Sequence, residues 1–323
     1  MAGRRWWNGS RQFKSMISVI ICSAKELDLK QVKDNISQTI GVPYEIIAYD
    51  NSDGKRGICE VYNAGARQAN YDILCFMHED IEMKTQDWGN KIVNLLSGNP
   101  RIGLIGVAGG GYKSVTPSGW YNYGLESNGG AYSNVLQGYK RDDEKKEGHD
   151  YNNPKNELFS KVACVDGCWL TTKKSIWQQY QFDEKMLTKF HGYDLDFSLA
   201  IGQKYEVVVT FEVLLRHFSE GNYDLNWFEE MLKVHAKWSF VLPVNADHLI
   251  EGDLLQNEKW AFRRFLQDSL DNGISKSTLL NVVWHSRKSS MIGFSLMTKL
   301  SFALIKMKPK KTNAVFKPIH TSV

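Results

Sequence analysis

Past the first fifteen residues, short apolar runs rich in β-branched side chains alternate along the chain with segments of helical spacing. Met16–Cys22 (MISVIIC) reads as a buried first strand. Asp28–Thr39 carries Leu29, Val32 and Ile36 on one helical face, and Tyr44–Tyr49 (YEIIAY) is a second strand running into the turn cluster Asp50–Gly54. Gly57–Ala69 is helical in pattern, and Asp72–Met77 (DILCFM) is a third strand followed at once by His78-Glu79-Asp80. Thr85 is placed to cap a helix carrying Trp88, Ile92, Leu95 and Leu96 on one side, before a fourth strand within Arg101–Ala108.

Strands alternating with helices imply a mostly parallel, mixed α/β sheet covered on both faces. Ligands of such sheets sit beyond the carboxyl ends of the strands. That places Cys22-Ser23-Ala24, Asp50-Asn51 and His78-Glu79-Asp80 along one rim.

Gly109–Glu157, rich in Gly, Asn, Tyr and Ser, reads as an excursion of loops and short strands over that rim. Regular patterning resumes at Ser160–Thr172, with helices expected at Lys173–Tyr180, Asp194–Ile201, Asp224–Trp238 and Asn245–Asn272, and a strand at Tyr205–Phe211. Met291–Met307 is apolar but interrupted by Lys299 and Lys306, and falls short of the ~20 apolar residues of a spanning helix. Its pattern fits either a helix lying on a membrane surface or one docked on the protein's own core.

Composition sharpens this picture in two respects. Hydrophobic residues at 42% and charged residues at 24% are ordinary globular usage, and a net charge of +4 does not suggest a nucleic-acid partner. The charge is concentrated at the ends: Arg4, Arg5, Arg11 and Lys14 at the start, and only basic residues from Ser286 onward, including Arg287, Lys288, Lys299, Lys306, Lys308, Lys310, Lys311 and Lys317. Basic ends fit peripheral contact with a phosphate-rich surface, or simply solvated tails. The five cysteines lack metal-type spacing and read as reduced thiols of a cytoplasmic protein, associated with the inner membrane face if the basic ends engage it.

Candidate chemistry gathers at the strand ends. Glu79 and Asp80 repel each other unless a cation sits between them, and hard carboxylate oxygens suit Mg²⁺ or Mn²⁺. Asp50 offers a carboxylate to a base or ribose. Asp194 and Asp196 lie near a helix start, where one can face a cleft as a general base or both can merely balance the helix dipole. His217, after the apolar run Val213–Arg216, is a further metal-ligand candidate or a structural histidine. Trp120, Tyr121 and Tyr123 are either sugar-stacking or core aromatics.

Taken in order, Cys22-Ser23, Tyr49-Asp50-Asn51, Tyr62-Asn63-Ala64-Gly65, Phe76–Asp80, Asp166-Gly167, Tyr193–Asp196 and Arg216-His217 resemble glycosyltransferase family two with its GT-A fold. The resemblance is closer to a bacterial glycosyltransferase-like subgroup with His-Glu-Asp in place of Asp-x-Asp. Leu104–Gly109, Ser118-Gly119-Trp120 and His235-Ala236-Lys237-Trp238 belong to the same likeness, which spans about Met16 to Trp238.

The resemblance implies that Ser23, Asp50 and Asn51 contact the nucleotide, with Asn63 on the flanking helix. It implies Asp80, with Glu79 and His217, as the Mn²⁺ or Mg²⁺ site. It implies Asp194 as the catalytic base and Asp166, Trp169 and Trp120 near donor sugar or acceptor. His78 replaces the usual first Asp, leaving coordination to Asp80 and His217, and Tyr193 replaces the usual Glu before the base. The expected activity is an inverting, metal-assisted hexosyl transfer from a nucleotide-diphosphate sugar, UDP-linked by default, to a hydroxyl of a glycan or lipid-linked acceptor in polysaccharide biosynthesis. The alternatives are a non-catalytic nucleotide-sugar-binding module and a sugar-phosphate nucleotidyltransferase; the latter is disfavoured because Cys22–Glu26 contains no glycine. The expected division is a basic arm over 1–15, a GT-A domain over 16–242 and a mainly helical basic extension over 243–323.

Overall fold

The computed structural model describes residues 16–122, 125, 130–139, 147–219, 224–289 and 291–310. The basic arm over 1–15, Tyr123, Lys311 and Lys317 lie outside them. The first half of the chain runs β1 (Ile17–Ser23), α1 (Glu26–Thr39), β2 (Tyr44–Asp50), α2 (Ile58–Gln68), β3 (Ile73–His78), β4 (Ile81–Met83), α3 (Trp88–Gly98), β5 (Ile102–Gly106), β6 (Ala108–Gly110), β7 (Tyr112–Lys113), β8 (Tyr132–Gly138) and β9 (Gly148–Asn152). It continues through β10 (Phe159–Val162), β11 (Cys164–Val165), β12 (Trp169–Lys173), the single turn α4 (Lys174–Trp177), α5 (Tyr193–Gly202), β13 (Glu206–Thr210), β14 (Leu215–Phe218) and α6 (Leu225–Lys237). Last come β15 (Val244–Asn245) and three helices, α7 (Glu251–Asp271), α8 (Lys276–Ser286) and α9 (Phe294–Lys306).

The main sheet has seven strands in the order β10-β13-β5-β12-β3-β1-β2. It is mixed: β1 pairs in parallel with β2 and β3, and β13 with β5, whereas β12 is antiparallel to both β3 and β5 and β10 is antiparallel to β13. Strand alternation sends Ile20, Leu74, Phe76, Leu104 and Leu170 to the face covered by α2 and α5, and Ile17, Val19, Ile21, Cys75 and Met77 to the face covered by α1 and α3. Each such fully buried side chain contributes about 1.5–3 kcal/mol. A second sheet, β11-β6-β8-β14-β4 with β9 on β8, crosses the strand ends and is built largely from the segment expected to be irregular.

Thr85 does not cap α3. Its hydroxyl accepts from the Leu214 amide at 2.8 Å, and the helix starts after Asp87, which adopts φ 55° without a side-chain cap. The helix expected from Asn245 starts at Glu251, and α8 is an element that weak periodicity concealed.

The C-terminal helices form a third core around Phe262, Leu266, Leu279, Val283 and Leu300, into which Val115 and Phe228 of the preceding chain reach. Glu258 of α7 is fully buried and fixes this joint. Its carboxylate accepts from Tyr112 Oη at 2.6 Å, the Val115 amide at 2.7 Å, the Thr116 amide at 3.3 Å and Thr116 Oγ1 at 3.0 Å. Beside it, buried Lys113 donates to Ser118 Oγ and to His235 Nε2, each at 2.9 Å. Burial pushes Lys113 down to about 8 and His235 well below the usual imidazole range. The neutral ring donates from Nδ1 to the Met231 carbonyl at 2.8 Å. Among the described residues no helix is long and apolar enough to cross a membrane.

Candidate functional site

The parallel registers bring the expected residues to one rim: Ser23 pairs with Asp50, and Cys22 with His78. Beyond the end of β3 the chain turns and enters β4, which pairs antiparallel with β14 so that His217 lies opposite Ile81. The Phe218 amide donates to the Asp80 carbonyl at 3.0 Å, tying the two segments together next to the carboxylate.

His78, Asp80 and His217 consequently form a cluster in which one ligand atom from each lies within 4.8 Å of the others. His217 Nε2 is 3.5 Å and His78 Nδ1 3.8 Å from Asp80 Oδ1. Two ligands bonded at about 2.1–2.2 Å to one ion stand at most about 4.4 Å apart, so small side-chain adjustments would close the set around a divalent ion. Burial holds His78 below its usual range against the upward pull of Asp80, which keeps the ring neutral, as a ligand must be. His78 thus stands in the same cluster as Asp80 and His217, and all three offer a ligand atom.

The corner between β11 and β12 supplies the next wall. Asp166 accepts from Trp120 Nε1 at 2.7 Å through Oδ2 and from the Cys168 amide at 2.9 Å through Oδ1. Burial alone would raise its pKa, but His217 and these hydrogen bonds outweigh it, and Asp166 stays below the usual carboxylate range. Tyr193, the first residue of α5, places its hydroxyl 2.7 Å from His78 Nε2 and 3.0 Å from the Gly167 carbonyl oxygen. Only glycine fits at 167, because a Cβ there would lie 2.3 Å from that hydroxyl.

Asp194 follows Tyr193, its Oδ1 accepting from the Leu195 amide at 2.9 Å. Burial, and secondarily the charge of Asp166, push its pKa up to about 7 despite its place in the first helical turn. A carboxyl in this range suits a general base working near neutrality. Asp196, by contrast, is locked by the Lys237 ammonium at 2.8 Å and by Trp238 Nε1 at 2.7 Å, which accounts for the end of the His235–Trp238 motif.

Five expected site residues make other contacts, Ser23 and Glu79 with each other. Glu79 points away from Asp80: its Oε2 accepts from Ser23 Oγ at 2.6 Å and the Lys25 amide at 3.2 Å, and the Ala24 amide is 3.1 Å from both oxygens. It accepts from the first amides leading into α1, where Lys25 offers no side-chain cap, and adds to the acidic Glu26 and Asp28 of the first turn. Asn51 holds its own loop, donating to the Arg56 carbonyl at 2.8 Å and accepting from the Arg56 amide at 3.2 Å. Asn63 is buried and saturated, donating to the Phe182 carbonyl and Glu184 Oε2 at 2.8 Å each while accepting from Trp177 Nε1 and the Phe182 amide. Trp169 is wholly buried against Trp88, ring centroids 5.9 Å apart, in the core rather than the cleft. Asp50 remains exposed at the rim, its pKa lowered by hydrogen bonding from Ser52.

Tyr193 and the place of His78 in the cluster with Asp80 and His217 are what sequence reasoning missed. Period-two alternation reaches only His78, the last residue of β3; Glu79 and Asp80 lie in the turn that follows, where no such period fixes their directions.

A rim at the ends of parallel strands, crossed by a second small sheet, is the layout of the GT-A glycosyltransferase fold. The chain belongs to the glycosyltransferase-like family, whose model matches residues 18–236. S. aureus TarS (residues 1–349) in complex with UDP-GlcNAc is similar in fold: TM-score 0.52 and 10% identity over 89% of this chain and 87% of that one. The same protein with UDP gives a TM-score of 0.50 at 10% identity over 89% and 86%. A mannosyltransferase of Pyrobaculum calidifontis in complex with GDP-Man and Mn²⁺ has a TM-score of 0.46 at 13% identity, over 90% of this chain and 85% of that one. No curated protein sequence matches the chain significantly.

Proposed function

We propose that the protein transfers a hexosyl group from a nucleotide-diphosphate sugar, UDP-linked in the first instance, to a hydroxyl of a glycan or lipid-linked acceptor. The observation that carries this reading is the convergence of His78, Asp80 and His217 on one point, with Asp166 and Asp194 alongside. The UDP-GlcNAc complex of the similarly folded TarS supports the donor class. His78, Asp80 and His217 would hold a divalent ion, which would neutralise charge on the diphosphate leaving group.

The chain's own residues supply the rest. Asp50 offers its carboxylate to the ribose or base, and Ser23 keeps the neighbouring turn fixed through Glu79. Trp120 and Asp166, hydrogen-bonded to each other, form the wall facing the donor sugar or acceptor. Asp194 accepts the proton of the acceptor hydroxyl as its oxygen bonds to the anomeric carbon and the bond to the diphosphate breaks. Both oxygens of Asp166 are engaged by Trp120 and Cys168, which leaves Asp194 as the acting carboxylate and favours a single displacement with inversion. The reading divides the chain into a basic arm over 1–15, a catalytic unit over 16–242 and a helical extension over 243–323, and the five free thiols suit a reducing compartment.

The test is nucleoside diphosphate release from a panel of nucleotide sugars with Mn²⁺, with and without candidate acceptors. Release from one donor that is lost in Asp194→Asn is expected. A protein that binds a donor but never turns it over would leave only the binding-module reading, and pyrophosphate release from a nucleoside triphosphate and a sugar phosphate would make it a nucleotidyltransferase.

A further inference from the structure

The C-terminal helices carry two apolar faces, and the fold uses only one. On α9, Met297, Leu300 and Leu304 pack into the third core. At 100° per residue, Phe294, Thr298, Phe302 and Ile305 fall within an arc of roughly 80° on another side of the helix. There Phe294 is 75% exposed, Phe302 67% and Ile305 59%. Lys299 and Lys306, both exposed, border this stripe.

Neighbouring elements carry further exposed apolar side chains. Lys276 of α8 donates to the Ile305 carbonyl at 2.8 Å, so α8 runs antiparallel to α9 and its far end lies toward Phe294. At that end the Arg287 guanidinium sits 3.9 Å from the ring centroid of Trp284, which is 48% exposed. Next to it Lys288 reaches to 4.6 Å from the ring of Phe240, exposed at 81%. No acid follows Asp271 anywhere in the sequence, whereas nine lysines and arginines do.

We propose that this face of α8 and α9 docks the protein on the surface of an anionic phospholipid bilayer, with Phe294, Phe302, Ile305 and Trp284 entering the headgroup boundary and the lysines and arginines pairing with lipid phosphates. Large apolar groups left in water and ringed by cations have the composition of an interfacial helix. Charge selects the occupant. A second copy of the chain docking isologously would set these cations against their own equivalents, whereas an anionic bilayer supplies the negative charge that the segment lacks. Each basic residue near such a surface raises the affinity about fivefold. Glu258 fastens the helices to the loop leading to Trp120, so docking would hold the strand-end rim at a set height above the lipid.

The proposal is independent of the transferase reading, and its test needs no nucleotide sugar. The full chain is floated with phosphatidylcholine vesicles with and without phosphatidylglycerol. Binding to the anionic vesicles alone, weakened by added salt, is expected. Lys299→Gln with Lys306→Gln should lower the partition about 30-fold, and Phe294→Ser, Phe302→Ser and Ile305→Ser together about 100-fold. Leu27→Ser, at an exposed position on α1, should change nothing. Thermal melts identify any variant that has lost its fold, and in that case the single substitutions replace the combined ones. Equal binding to neutral and anionic vesicles, or binding indifferent to both sets of variants, would overturn the proposal. So would a dimer in gel filtration that the triple substitution dissociates.

Discussion

The Tyr193 hydroxyl settles the tautomer of His78. The oxygen lies 3.0 Å from the Gly167 carbonyl, which only accepts, so its one proton goes there and its lone pair must accept from His78 Nε2–H at 2.7 Å. The unprotonated Nδ1 is then the atom presented toward Asp80, as a ligand requires. Tyr193→Phe should lower Mn²⁺ affinity by about 10–100-fold, the usual cost of losing such an outer partner. Titration followed by electron paramagnetic resonance reads this directly; unchanged affinity would show that His78 needs no such orientation.

Asp194→Asn should reduce turnover by about 10²–10⁴-fold while the donor Kd stays near that of the wild type. The pH dependence follows from the raised pKa. The base works deprotonated, so activity should be flat above about 7 and fall tenfold per pH unit below it. A profile flat down to pH 5 would remove Asp194 from the role.

Two imidazoles and one carboxylate favour Mn²⁺ over Mg²⁺, which prefers oxygen ligands. In thermal-shift titrations Mn²⁺ should raise the midpoint at lower concentrations than Mg²⁺, as binding to the native state requires. Asp80→Asn and His217→Ala should each abolish the Mn²⁺ effect. Glu79→Gln should preserve it, since that carboxylate is turned toward Ser23 and the start of α1; loss of Mn²⁺ binding in Glu79→Gln would return Glu79 to the metal.

Asn63→Ala strips partners from the Phe182 backbone, Trp177 and Glu184. Urea unfolding should show a loss of about 2–4 kcal/mol. Donor affinity of the folded protein should be unchanged, whereas a nucleotide contact at Asn63 would weaken it.

Much of this architecture is legible in the chain because the first three strands carry mostly apolar runs rich in β-branched residues. MISVIIC, YEIIAY and DILCFM locate β1, β2 and β3, and parallel pairing then forces Ser23, Asp50 and His78 onto one rim. The second sheet was harder to read: β4 has three residues and β6 three, too few for any period to register. Along the rim the positions follow from strand pairing, whereas the side-chain directions do not. Glu79 and Asn51 are polar and sit at strand ends, as ligand-binding residues do, yet one completes a helix start and the other closes a loop. Trp169 was read as a cleft aromatic, although an interior strand between β3 and β5 leaves a ring no exit except into the core. A tautomer decided by Tyr193 across 115 positions of sequence has no local signature at all.

The carboxylate of Glu258 makes the tail of this protein a plug rather than an ornament. Shortening the chain ahead of α7 would leave Tyr112 Oη, two amides and the Thr116 hydroxyl facing an unfilled socket. The same stretch leads through Lys113 and Ser118 to Trp120, whose indole braces Asp166. A trimmed version designed for easier crystals would thus arrive with its Trp120–Asp166 wall adrift, and the damage would be misread as a defect of the residues at the rim.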